Sequence, residues 1–307
     1  MANILRPGGA NFTSKLNQAL SSPPVGIIKL FSTLNIFLSI TASLGNALIL
    51  VALRKVSSIH PSTKLFFRCL TITDLGVGLL VQPLFVAVIV SPLIKMNAHD
   101  VFYVFQLTVT LGSCLCGVSI LTSAAISVDR LLALLLGLRY RHVVTLRRVR
   151  VVVICSWLIS ALAGAIRTQR IDTSIRGFNI IWTISLAITI FCYTTIHFKL
   201  RHQQVQLHNN VPQGPVAIGG GIPLNIARYK KSVSSILWVQ LALVVCYVPL
   251  GIGHCLILSG NRVNDIVGRA METLVFLNSS LNPILYCWKI REVRQAVRDT
   301  IRQSYCF

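Results

Sequence analysis

The sequence predicts an all-α membrane protein, a bundle of seven transmembrane helices followed by an amphipathic helix. Three observations predict it. The chain is 54% hydrophobic and only 12% charged, whereas soluble domains carry about 25% charged residues. Seven apolar stretches are each long enough to cross a bilayer, which takes about 20 residues. After the last stretch, Trp288, Ile290, Val293, Val297 and Ile301 recur at three- and four-residue steps against Lys289, Arg291, Arg294, Arg298 and Arg302. That pattern is a helix with one apolar and one basic face, suited to the inner leaflet.

Reading from charge to charge places the spans at 27–53, 65–90, 101–132, 149–166, 178–199, 232–258 and 268–288. The first closes on Arg54-Lys55. The second opens after Lys64 and carries Asp74, and the third ends in Asp129-Arg130. The fourth is short but holds Trp157 in a dense Val/Ile/Leu run. The fifth lacks proline, the sixth contains Pro249 and the seventh Pro283. A proline inside an apolar helix removes a backbone hydrogen bond and kinks it. The expected organisation is an outer tail (1–26), the membrane domain (27–288), and an amphipathic helix with a short cytoplasmic tail (289–307).

The net charge of +21 does not mark a nucleic-acid binder, because the basic residues lie between apolar blocks rather than on one soluble domain. Lys and Arg gather on the cytoplasmic side of membrane proteins. With the N-terminus outside, the inner loops, inner span ends and tail hold most of the 29 Lys and Arg residues. Asn11-Phe12-Thr13 is a glycosylation sequon in the outer tail. Residues 1–30 show no signal-peptide core, so the first span is expected to direct its own insertion. Most of the nine cysteines fall inside spans as small apolar fillers, and none has zinc-site spacing. Cys306 is a candidate palmitoylation site at the inner face. The loop between the fifth and sixth spans, with Pro212, Pro215 and Gly219-Gly220-Gly221, reads as flexible and cytoplasmic.

The polar residues inside the spans carry the function. They are Gly45-Asn46, Asp74, Ser119, Asp129-Arg130-Leu131, Trp157, Tyr247-Val248-Pro249, Asn278-Ser279 and Asn282-Pro283-x-x-Tyr286, one set per span except the fifth. In this order they resemble the rhodopsin-like (class A) G-protein-coupled receptors over about residues 30–300. The resemblance implies a plasma-membrane receptor that signals through heterotrimeric G proteins. Its ligand is an extracellular or lipid-borne small molecule or peptide, and its other partners are membrane lipids. It implies no enzyme activity and no cofactor beyond an allosteric sodium ion. An aspartate near the bilayer centre needs a partner, and the resemblance places Asp74 among Asn46, Ser119, Asn278, Ser279 and Asn282, an oxygen-bearing sodium pocket. It makes Asp129, Arg130, Tyr193, Tyr247, Pro249, Pro283 and Tyr286 the activation switch. Arg130 pairs with Asp129 at rest and swings towards Tyr286 and Tyr193 when the sixth span moves. The inner end of that span, Arg228-Tyr229-Lys230-Lys231, lacks the acid that often adds a second lock, which implies raised basal signalling.

Other residues depart from the family. Phe105 stands where a disulfide cysteine is usual, and the second outer loop, 167–177, contains no Cys. Ser185 falls where the fifth span usually has proline. A short, Cys-free loop with a proline-free fifth span resembles the melanocortin receptors and their adenosine and cannabinoid relatives. The melanocortin acidic cluster is absent, with Leu84, Phe105 and Val109 at its positions. Gly112 replaces the aspartate that anchors biogenic amines. Gln82, Gln106, Gly112, Ser113, Cys116, His254, Glu272 and Phe276 are the candidate ligand-pocket residues, with His254 and Glu272 placed to meet. Arg167, Arg170, Arg176, Arg262 and Arg269 make the outer surface basic, which favours an anionic ligand. Two alternatives stay open: a receptor-like decoy that binds without coupling, and a transporter.

Overall fold

The computed structural model describes residues 24–56, 60–169, 171–209, 221–261 and 263–305. Within these, 138, 167–169, 171, 174, 203–204, 206–209, 221–237 and 304–305 are described by backbone alone. Asn11 and Cys306 lie outside the described residues. The long helices are α1 (Val25–Lys55), α2 (Pro61–Val90), α3 (Ala98–Leu136), α4 (Leu146–Gln169), α5 (Ile171–Asn209), α6 (Gly221–Leu258), α7 (Asp265–Lys289) and α8 (Arg291–Tyr305). A one-turn helix, Tyr140–Val143, joins α3 to α4. Among the described residues every regular element is helical. In hydrocarbon a helix satisfies its own backbone polar groups, which is why the chain spends its apolar length this way.

Each helix overruns its apolar stretch. Helix α4 starts three residues before the expected span, because Arg147, Arg148 and Arg150 form its first turns. Helix α4 ends at Gln169 and α5 begins at Ile171, so the connection between the fourth and fifth spans is even shorter than the sequence suggests. Helix α2 is interrupted at Val77–Val81 by a π turn, where Pro83 two residues later withholds a backbone N–H.

By length and composition, α1 to α6 qualify as membrane-crossing helices. The seventh expected span, α7, falls short because Asn278, Ser279, Ser280 and Asn282 dilute its apolar residues. Those four side chains are buried. Helix α7 packs between α1 and α6, so its polar face meets protein rather than lipid. Leu30, Phe37, Leu44, Leu158, Leu162, Phe191 and Phe198 lie exposed on the outside. A water-soluble protein would not show such a belt; hydrocarbon covers it.

Small residues bring helices together. Ser39 Oγ on α1 donates to the Gly78 backbone oxygen on α2 at 2.7 Å, and a Cβ at Gly78 would lie 2.8 Å from Ser43 Oγ. A Cβ at Gly45 would lie 2.9 Å from Cγ of Pro283. Gly45 is therefore the socket that admits the proline ring of α7, the close approach that small residues allow between membrane helices. Gly45→Ala should cost about 1–3 kcal/mol by overpacking and lower the thermal midpoint of the purified protein. An unchanged midpoint would mean α1 and α7 separate freely.

Ile290 is extended and breaks the chain between α7 and α8. Helix α7 begins on an Asn264 cap whose side chain accepts from Ile266 N at 2.9 Å. The apolar face of α8 turns into the bundle. Val293, Ala296 and Val297 are buried with Leu53, Phe67 and Tyr286, while Trp288 and Ile301 stay exposed. Lys55 Nζ on α1 donates to Gln303 Oε1 at 2.6 Å and ties α8 down.

Candidate functional site

Asp74 is 0% exposed, at mid-bundle on α2. Its Oδ2 accepts from Asn282 Nδ2 at 2.7 Å, joining α2 to α7. Asn46 on α1 donates to the backbone oxygens of Ala42 at 2.8 Å and Ser279 at 3.0 Å. Ser119 on α3 shares a 2.8 Å hydrogen bond with Thr73, the residue before Asp74. Asn278 is buried beside them on α7. Thus α1, α2, α3 and α7 each contribute. Asp74 Oδ1, Asn46 Oδ1, Asn278 Oδ1 and Asn282 Oδ1 are buried with no hydrogen-bond donor. Orphaned buried oxygens demand a partner. An oxygen-only set around one carboxylate suits a hard cation of low charge, so the residues present fit sodium.

At one end of α3, Asp129 is buried and accepts from four donors. Arg130 Nε lies at 3.2 Å, Thr63 Oγ1 at 3.1 Å and Tyr140 OH at 2.6 Å. The fourth donor is Arg130 Nη2, which also reaches Thr63 Oγ1. The carboxylate therefore holds its own guanidinium, the first turn of α2 and the one-turn helix. Asp129 and Arg130 are legible in the sequence as a pair; Thr63 and Tyr140 are not. The only signal for Tyr140 was an aromatic phenol in an otherwise basic loop.

Burial and the bond to Asp129 push the Tyr140 phenol up to about 12. A raised phenol pKa contributes stability present below its ordinary value of 10.0 and lost as pH rises towards about 12. The network should therefore be indifferent to pH at neutral and mildly alkaline values. Tyr140→Phe should loosen Arg130 and raise ligand-independent nucleotide exchange modestly. Exchange equal to wild type would show that the other donors suffice.

Tyr193 on α5 and Tyr286 on α7 share one apolar cluster at this end. The Tyr286 ring meets Phe67 edge-on at 5.5 Å, and its hydroxyl has no hydrogen-bond partner among the described residues. Pro249 and Pro283 both lie inside continuous helices, α6 and α7. Tyr247 is buried against Cys116, Ile120 and Leu243.

At the opposite end the bundle encloses a cavity of about 600 Å³ of empty space, its open mouth included. Of the expected residues, Gly112, Ser113, Cys116, His254, Glu272 and Phe276 line it. Gln106 does not. The cavity face of α3 is Phe105, Thr108, Val109, Gly112, Ser113 and Cys116, a three–four stripe that passes beside Gln106. Gln82 is also outside the lining, fully buried with both amide atoms unpartnered. His254 and Glu272 share the cavity wall, and His254 Nδ1 lies 3.4 Å from Asn179 Oδ1. Phe85 meets Phe276 and Phe178 meets His254 edge-on, at 5.1 and 5.9 Å. Arg269, expected to add to a basic outer surface, is bound by Asp265 at 3.1 and 3.2 Å, so its charge is locally neutralised. The eight cysteines among the described residues are free thiols.

A membrane bundle with a cavity at one end, a caged arginine at the other and a polar core between defines a helix-bundle receptor. The family described as "7 transmembrane receptor (rhodopsin family)" matches residues 45–176. The adenosine receptor A3 of Ovis aries is 26% identical over 291 residues, covering 86% of this chain and 87% of that receptor. The histamine H2 receptor of Canis lupus familiaris is 28% identical over 313 residues, covering 92% and 82%. The histamine H2 receptor of Homo sapiens is 27% identical over 277 residues, covering 81% and 73%. These matches support a rhodopsin-like (class A) G-protein-coupled receptor. They likewise support a multi-pass plasma-membrane receptor that signals through heterotrimeric G proteins.

Proposed function

We propose that the cavity end faces outward and the Arg130 end inward, and that a ligand in the cavity opens the inner end by releasing Arg130 from Asp129. The excess of Lys and Arg in the segments on the Arg130 side supports that orientation. The observation that carries the reading is the cage around Arg130. Asp129 accepts four hydrogen bonds there, while the Tyr286 hydroxyl stands without a partner among the described residues. That is one half of a two-state arrangement, in which the arginine has a partner and the tyrosine awaits one. An intact cage also favours a coupling receptor over a decoy.

Asn46, Asp74, Ser119, Asn278, Ser279 and Asn282 would hold a sodium ion, which when bound supplies positive charge that stabilises the Asp74 carboxylate in the resting bundle. Tyr247 and Pro249 lie between cavity and cage, where the proline inside α6 supplies a hinge. The cavity pairs aromatic walls with a few converging polar groups, Ser113, His254 and Glu272. That composition suits a small ring-bearing ligand with hydrogen-bonding edges. Gly112 offers no carboxylate on α3, so an amine anchored in the biogenic-amine manner does not fit. Of the two ligands in the relatives' names, the cavity favours one resembling adenosine over histamine.

The test is ligand-independent nucleotide exchange by the purified receptor across G-protein families. Exchange above the receptor-free rate with at least one family is expected, and should be abolished by Arg130→Ala. Equal rates with and without receptor for every family would overturn the coupling mechanism.

A further inference from the structure

A second cavity lies between α3, α5 and α6, lined by Ile120, Ser123, Trp182, Ser185, Thr189 and Gln240 among others. Its walls are mostly apolar, but Ser123, Ser185, Thr189 and Gln240 bring polar groups into the membrane interior. Gln240 is 4% exposed, and its Nε2 donates to the Ser123 backbone oxygen at 2.7 Å. The same carbonyl accepts from Ser127 Oγ at 3.1 Å. Thr189 is satisfied within its own helix by Ser185 O at 2.8 Å. Two groups are not satisfied among the described residues: Ser123 Oγ, on a residue 2% exposed, and Trp182 Nε1 are buried with no hydrogen-bond partner. Orphaned polar atoms are costly in hydrocarbon. Trp182 can only donate, and Ser123 can donate or accept. A water molecule answers both, since buried water occupies such polar gaps.

We propose that this cavity is a hydrogen-bonding site for one ordered water held by Trp182 Nε1 and Ser123 Oγ. That water ties α5 to α3, and the Gln240 amide clasps α6 to the same turn of α3. The clasp has a reason to exist in this chain. The inner end of α6 carries no acid to hold Arg130, and α3 meets α6 over only a short length. Ser185 replaces the proline usual on the fifth span, so α5 adds a hydroxyl to the cavity lining. The proposal rests on the reading of α6 as the helix that moves.

The test uses full-length purified receptor carrying Gln240→Met, Ser123→Ala, Trp182→Phe, and the last two combined. Gln240→Met keeps length and removes the amide. It should raise ligand-independent nucleotide exchange several-fold. Wild-type-level exchange in this variant, with wild type itself above the receptor-free rate, overturns the clasp. No exchange by wild type with any G protein would instead mark failure of the coupling reading. The water is read separately by thermal melting. If Ser123 and Trp182 share one guest, the double variant should melt no lower than the worse single variant. Fully additive losses overturn the shared water.

Discussion

Asp129→Ala should make the receptor strongly active without ligand. The substitution strips the acceptor from Arg130, Thr63 and Tyr140 together. Breaking a buried ion pair by removing one partner costs about 3–5 kcal/mol, and here Asp129 is buried while Arg130 is 14% exposed, so the cost lies towards the lower end. In the open arrangement the arginine has left the cage, so the loss falls on the resting state. Each 1.4 kcal/mol shifts an equilibrium about tenfold, so even a fraction of this cost moves the population decisively. Nucleotide exchange should rise at least tenfold on that arithmetic, with a lower thermal midpoint. Asp129→Asn, which keeps an acceptor and loses the charge, should fall between. Exchange by Asp129→Ala at the wild-type rate would mean that Arg130 is held by something else.

Asp74→Asn should erase the response to sodium. A carboxylate at the bilayer centre costs about 2.5–3.5 kcal/mol even on the lenient insertion scale. The Asn282 bond at 2.7 Å offsets part of this, and a cation against the orphaned Oδ1 would offset more. A ligand that binds the folded protein raises its melting temperature with concentration. The wild-type midpoint should therefore climb as sodium replaces potassium at constant ionic strength. Asparagine preserves the shape of the side chain and removes the charge, so the climb should vanish. An identical sodium-dependent climb in wild type and Asp74→Asn would rule the ion out at this position.

The membrane architecture was legible because apolarity and the bilayer share one length scale. Asp74 and Pro283 were legible because each is expensive where it stands. Helix ends were less so. Apolarity marks the hydrocarbon, and helices such as α5 continue into polar residues beyond it, from Ile171 to Asn209. The π turn at Val77–Val81 depends on how α2 meets Pro83 and leaves no pattern of its own. Thr63, Tyr140, Thr73 and Gln240 were missed for one physical reason. Each is unremarkable beside its chain neighbours and acquires meaning from a partner on another element. Thr63 finds Asp129 across 66 residues, and Gln240 finds Ser123 across 117. Gln106 failed in the opposite way: its chemistry suits a pocket, but helical phase turns it off the cavity face of α3.

The central claim is that these polar clusters belong to a two-state bundle. Spin labels on the inner ends of α3 and α6 would test it most directly, through the distance distribution in sodium, in potassium, and in Asp129→Ala. The account predicts a dominant short distance for wild type in sodium, a longer component that grows in potassium, and a majority of long distances in the variant. One distribution, unchanged across all three samples, would contradict it.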